Sequence, residues 1–211
     1  IFGQPLHAAT YQMTVASAQV KSALILAALQ APAPSTIIEQ LPTRNHTELM
    51  LQQFGANLTT AADQRTITVH PAPHLHGQTV QVPGDLSSAA FFLVAAAIVP
   101  GSNVTLTQVN LNPTRTGILR VLQAMGASVT ITPRISQGEP LGDITVSHGP
   151  LRPIKIGAAE IPALIDELPL VALLAACADG TSEIRGAAEL RVKETDRIAT
   201  VASELRKLGV A

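Results

Sequence analysis

Tryptophan is absent from this 211-residue chain, and five residues carry all of its aromatic rings: Phe2, Tyr11, Phe54, Phe91 and Phe92. So few rings argue against base stacking on single-stranded nucleic acid. Charge of one sign is lacking too. With 14 basic and 15 acidic residues the formal net charge is −1, so no strong field draws the chain to nucleic acid or anionic lipid. The longest uninterrupted apolar run, Ala89 to Pro100, is well short of the roughly 20 residues that span a bilayer, and no basic segment precedes an apolar stretch near the start. A soluble protein is expected, with neither nucleic acid nor membrane as partner. The single Cys177 rules out an intramolecular disulfide and fits a reducing compartment. No Gly-rich loop of the Walker or Rossmann type is present, which leaves ATP and NAD unsupported.

What the chain does have is 46% hydrophobic residues, nearly all Ala, Val, Ile and Leu. That is ample for a core, and the length suits one domain or two. It also has a repeat, because the same order of features occurs three times. Each copy opens with a small-residue apolar helix: Ser17 to Gln30, Ser87 to Val99, and Asp166 to Ala178. Ala and Leu favour helix, and Ser or Asp near each start can cap free backbone N–H groups. A breaker follows in each copy, at Ala31-Pro32-Ala33-Pro34, Pro100-Gly101 and Asp179-Gly180. Then come β-prone segments, Thr36 to Glu39, Asn103 to Thr107 and Thr181 to Arg185, and after a polar turn a second, amphipathic helix. Those second helices close at Gly55, Gly126 and Gly209, where glycine suits the left-handed C′ position.

Alternating segments continue the first two copies, as Gln64 to His70 and Ala127 to Thr132, with Gly142 to Ser147 pairing nearby. The unit is therefore helix, strand, helix and then two or more strands. The third copy stops at Ala211 where its strands should begin, and residues 1–14 read as the strand and turn that finish an earlier unit. An internal piece of a longer polypeptide is the expectation.

The densest chemistry lies in Glu189 to Arg197, ELRVKETDR, read as the head of the third unit's second helix. On a helix, Lys193 and Arg197 would be i,i+4 neighbours with Glu194 beside them, a like-charge pair that opposes the helix dipole. A bound phosphate or carboxylate would reverse both penalties. The alternative is a solvated helix start with Arg191 and Asp196 as surface partners. Asp166-Glu167 interrupts an apolar stretch, either as a helix cap or as a proton carrier. Ser17-Ala18-Gln19 opens the first helix with Lys21 nearby, a capping arrangement that could also hold a phosphate; the same holds for Asp85 to Ser88. Thr43 to His46 and Asn112 to Arg115 occupy matching places before second helices, as capping turns first and ligand sites second. His70, His74 and His76 lack a completing Cys or acid and read as a polar loop rather than a metal site. Cys177, in an Ala/Leu helix without an adjacent base, reads as a small core residue.

Together, Val15 to Leu29, Val82 to Ile98, Leu111 to Leu119, Ile161 to Ala176 and Glu189 to Ile198 closely resemble the 5-enolpyruvylshikimate-3-phosphate synthase family, the 3-phosphoshikimate 1-carboxyvinyltransferases, in order and spacing. The resemblance implies an α/β (α+β) enolpyruvyl transferase-like fold of two lobes, each built from three βαβαββ-type units about a pseudo-threefold axis. It makes 1–83 part of one lobe and 84–211 part of the other. The activity implied is transfer of the enolpyruvyl group of phosphoenolpyruvate to the 5-hydroxyl of shikimate 3-phosphate, without a cofactor or metal, by a cytoplasmic enzyme that is monomeric when complete.

By the same resemblance, Ser17, Ala18, Gln19 and Thr43 bind shikimate 3-phosphate, Gln19 reaching both substrates, while His46 falls at a position that varies in type. Asp166 matches the carboxylate that holds the sugar hydroxyls and accepts a proton. Lys193 stands near the reacting hydroxyl, Glu194 is the proton donor, and Arg197 binds phosphoenolpyruvate. The fragment alone is expected to be inactive, since the family draws further cations from outside this stretch. Two other readings remain: a noncatalytic module of the same fold, or an enzyme like UDP-N-acetylglucosamine enolpyruvyl transferase.

Overall fold

The computed structural model describes residues 2–72, 74–136 and 138–210, so Ile1, Pro73, Gln137 and Ala211 lie outside the described residues. The chain divides into two compact units. Among the described residues the first comprises those up to Gln81 with Gly138 and Glu139, and the second comprises Val82–Ser136 and 140–210.

In the first unit the order is β1 (Thr10–Gln12), α1 (Ala18–Ala28), β2 (Ser35–Ile38), α2 (His46–Gln53), β3 (Leu58–Thr60) and β4 (Thr66–Val69). Strand β1 runs parallel to β2, β4 lies antiparallel to both β2 and β3, and the sheet order is β1-β2-β4-β3. Ser17 starts α1: its extended backbone and its hydroxyl, which accepts from the Val20 N–H, cap the first turn. Ile25, Leu29, Ile37, Leu51, Ile67 and Val69 form the core between helices and sheet.

The second unit repeats the plan. Helix α3 (Leu86–Ile98), β5 (Asn103–Asn110), α4 (Gly117–Ala124), β6 (Ser128–Arg134) and β7 (Leu141–Ser147) follow in turn, with sheet order β5-β7-β6. Gly84 takes the place of the missing first strand through a parallel bridge to Val109. A bulge makes this possible: register slips between Leu106 and Val109, and Gln108 takes φ 56°. The third copy is β8 (Lys155–Ile156), α5 (Leu168–Ala176), β9 (Glu183–Ile184) and α6 (Arg197–Lys207), with β8 and β9 parallel. Gly55, Gly126 and Gly209 follow second helices with φ of 92°, 101° and 86°, the left-handed values the sequence predicts there.

The scarcity of rings has a packing counterpart. The second unit's core is aliphatic, built around Leu93, Ile118, Leu122, Ile144, Val171 and Leu174, while Phe91 and Phe92 on α3 lie exposed. Each fully buried Leu or Ile contributes roughly 1.5–3 kcal/mol. Among the described residues, no helix is long and apolar enough to cross a membrane.

Two expectations fail locally. Helix α5 starts at Leu168, two residues after Asp166, because a 3₁₀ segment (Ala158–Ala163) containing Pro162 and a turn precede it. Cys177 is exposed at the C-cap of α5 and is not a core residue, since the helix ends there and its side chain falls beyond the packed face.

Candidate active site

In the first unit, Ser17, Ala18 and Gln19 form the cap and first two residues of α1. The N–H groups of such a turn lie outside the intrahelical ladder and present a positive end to an anion. Thr43 lies in the loop before α2, where Glu39 accepts hydrogen bonds from both its N–H and its hydroxyl. Lys21, two residues beyond Gln19, faces away from the helix start and into the unit. It is buried, its Nζ 2.7 Å from Glu48 Oε1 and 3.2 Å from Glu39 Oε2, and it donates to the Thr43 carbonyl at 3.3 Å. It points into the unit because it lies on the same α1 face as Ile25, where two buried acids await a cation. Its effect on Thr43 is therefore structural: it fixes the loop that presents the hydroxyl. His46 pairs through Nδ1 with Glu139.

In the second unit, Arg197 gathers the acids. Its Nε and Nη2 donate to Glu194 Oε1 at 2.8 and 2.7 Å, and its Nη1 lies 3.9 Å from Asp166 Oδ1. Lys193 donates to Glu189, and Arg191 to Asp196 at 2.9 Å. The ELRVKETDR segment is not one helix. A 3₁₀ turn spans Ala188–Val192, Lys193 is extended, and α6 begins only at Arg197, where Asp196 caps it by accepting from the Ala199 N–H. Lys193 and Arg197 are thus not stacked on one helix face, and the like-charge penalty between them does not arise. The surface pair of Arg191 and Asp196 forms as expected.

Each of these cations is paired within the segment, in largely exposed bridges worth about 0–1 kcal/mol apiece. An arriving phosphate or carboxylate can exchange with such partners at little cost. The Glu194 carboxyl is held below its usual range, first by a hydrogen bond from its own backbone N–H and then by Arg197. In this arrangement Glu194 is a carboxylate; donating a proton requires that Arg197 be drawn away from it. Asp196 is likewise lowered, first by the Ala199 N–H.

Sequence reasoning overlooked three partners: Glu189 for Lys193, Glu39 for Thr43, and Ser87 for Glu167. The first was visible as an i,i+4 pair and the second lies within one loop, also four residues apart; the third joins residues 80 apart in the chain and carries no local signal. His74 and His76 are exposed, and the described residues hold no group of three or more His, Cys, Asp or Glu suited to a metal.

The family model for EPSP synthase (3-phosphoshikimate 1-carboxyvinyltransferase) matches residues 1–211. The chain belongs to the EPSP synthase family. It is 63% identical over 210 residues to the 3-phosphoshikimate 1-carboxyvinyltransferase of Lactiplantibacillus plantarum and 59% identical to that of Limosilactobacillus fermentum, covering all of this chain and 49% of each relative. The chain therefore spans about half the length of the curated relatives it matches. Among solved structures, EPSP synthase from Acinetobacter baumannii superposes with a TM-score of 0.88 at 45% identity, over 97% of this chain and 46% of that one. The enolpyruvyl transferase NikO from Streptomyces tendae shares the fold, with a TM-score of 0.66 at 20% identity over 87% of this chain and 45% of NikO. The repeated units are thus those of the EPSP synthase fold, and family membership makes small-molecule substrates the general expectation.

Proposed function

We propose that the chain contributes roughly half of a 3-phosphoshikimate 1-carboxyvinyltransferase, which moves the enolpyruvyl group of phosphoenolpyruvate onto the 5-hydroxyl of shikimate 3-phosphate and releases phosphate. Supporting it is the family match over 1–211 together with Arg197 holding Asp166 and Glu194 beside one guanidinium. In this reading Ser17, Ala18, Gln19 and Thr43 bind shikimate 3-phosphate, the helix start and hydroxyls taking its phosphate. Asp166 and Lys193 hold its ring side, and Gln19 and Arg197 bind phosphoenolpyruvate. Residues 1–83 belong to one lobe and 84–211 to the other, a reading supported by the compact units that part after Gln81.

The chemistry follows from those roles. Asp166 takes the proton of the 5-hydroxyl as its oxygen bonds to C2 of phosphoenolpyruvate, while Glu194, released from Arg197 and protonated, gives a proton to C3. The tetrahedral adduct then loses phosphate as a C3 proton returns to Glu194 and Asp166 gives its proton to the departing phosphate oxygen. The reaction needs no cofactor, and the enzyme is read as a cytoplasmic monomer. The isolated chain is expected to lack appreciable turnover and to bind shikimate 3-phosphate weakly.

A chimera in which residues 1–211 replace the matching half of the Lactiplantibacillus plantarum enzyme tests this. It should release phosphate from both substrates, and Asp166→Ala should cut turnover by at least about 10²-fold. An inactive chimera, or an unaffected Asp166→Ala variant, contradicts the reading.

A further inference from the structure

Glu167 is almost fully buried at the N-cap of α5, yet its side chain makes no capping hydrogen bond there. Its carboxylate instead accepts from the hydroxyl of Ser87, in the first turn of α3. Ser87 in turn receives Arg115 Nη2 at 2.5 Å, and the same nitrogen lies 3.4 Å from Asp85 Oδ1, the cap of α3. Arg115 comes from the turn before α4. One buried acid thereby ties together the starts of three helices.

The tie matters because of what lies next to it. Asp166 sits in the 164–167 turn, ahead of α5, so its direction depends on how the helix start is anchored one residue on. Backbone bonds from the Glu167 N–H to the Leu164 carbonyl and from the Val171 N–H to the Glu167 carbonyl fix the peptide on either side. A buried carboxylate is retained at such a place only if partners compensate its desolvation; Ser87 donates to it directly and is itself held by Arg115. Asp85 is itself anchored: Gly84 is pinned by hydrogen bonds with Gln108 and Asn110 across the β5 bulge. Burial opposes ionisation of Asp85, but hydrogen bonds from Ser88 and the charge of Arg115 outweigh it and hold the carboxyl below its usual range.

We infer that Glu167, through Ser87 and Arg115, is a positioning residue that orients Asp166 toward substrate. This rests on the reading of Asp166 as the proton acceptor that also holds the sugar ring. The chimera with the Lactiplantibacillus plantarum enzyme provides the test, with kinetic constants expressed per folded molecule. Glu167→Gln and Ser87→Ala should each lower kcat about 10- to 10²-fold and raise KM for shikimate 3-phosphate, leaving KM for phosphoenolpyruvate within about twofold. Ser87→Thr, which keeps the hydroxyl, should recover most of both losses. A smaller folded fraction alone would move neither KM, so the split separates positioning from stability. Should Glu167→Gln fail to fold, Ser87→Ala and Ser87→Thr decide. Unchanged constants in Ser87→Ala, with Asp166→Ala inactive, overturn the inference; a fully active Asp166→Ala variant overturns the reading beneath it.

Discussion

Arg197 reaches Asp166 and Glu194 with the same guanidinium: Nη1 lies 3.9 Å from one carboxylate while Nη2 lies 2.7 Å from the other. The two acids to which we assign opposite proton-transfer roles thus share one guanidinium, whose closer contact is with Glu194.

A shift in Glu194 titration follows. Its carboxyl lies below the ordinary value because its own backbone N–H and then Arg197 favour the ionised form. Arg197→Ala removes the second cause and should raise the Glu194 pKa, as followed by carboxyl carbon NMR in the isolated chain. The ion pair exists above the folded pKa and dissolves as pH falls through it. An unmoved titration would show that Arg197 does not hold Glu194 in solution.

Lys21 makes a stronger claim on stability. Its ammonium is buried between Glu39 and Glu48, and one oxygen of Glu48 has no hydrogen-bond partner even with Lys21 present. Lys21→Met leaves both acids buried without their cation and should cost about 3–5 kcal/mol, measured by urea unfolding. A cost under about 1 kcal/mol would mean that the pair is solvated on opening.

Gly117 carries a steric prediction. A Cβ there would lie 2.5 Å from the Ala163 carbonyl oxygen and 2.7 Å from Leu164 Cγ, in the segment leading to Asp166. Gly117→Ala should destabilise by about 1–3 kcal/mol, despite the better helix propensity of Ala. Equal or higher stability would show that this backbone yields freely.

Acid sensitivity should appear in the β3–β4 turn. Asp63 accepts from the Arg65 N–H and from the Thr66 N–H and hydroxyl, which lowers its pKa from 3.8 to about 2. A depressed folded value means that its contribution is complete above about 3.8 and disappears as pH falls toward 2. Asp63→Ala should therefore melt lower than the parent at pH 6, with the gap closing near pH 2. A gap independent of pH contradicts the assignment.

These cases show which features local pattern can carry. Helix starts at Ser17 and Asp85, the glycine ends at Gly55 and Gly126, and the alternation of β6 and β7 follow from capping, φ preference and two-residue periodicity, all of them local. The break within ELRVKETDR does not: its charges fit a helix from Glu189, but Asp196 caps the chain seven residues later. Lys21 likewise read as a cation near a helix start, and only the distant Glu39 and Glu48 turn it inward. Cys177 resembled core by its neighbours, whereas its position at a helix end exposes it. The substrate roles rested on family resemblance throughout.

Titration of the isolated chain with shikimate 3-phosphate, followed by backbone NMR, tests the central claim most directly. Ser17, Gln19 and Thr43 should shift in a saturable manner, with Lys193 responding as the anion competes with Glu189, and inorganic phosphate should produce weaker shifts. An unchanged spectrum at millimolar ligand would contradict the account and leave a fold without the site.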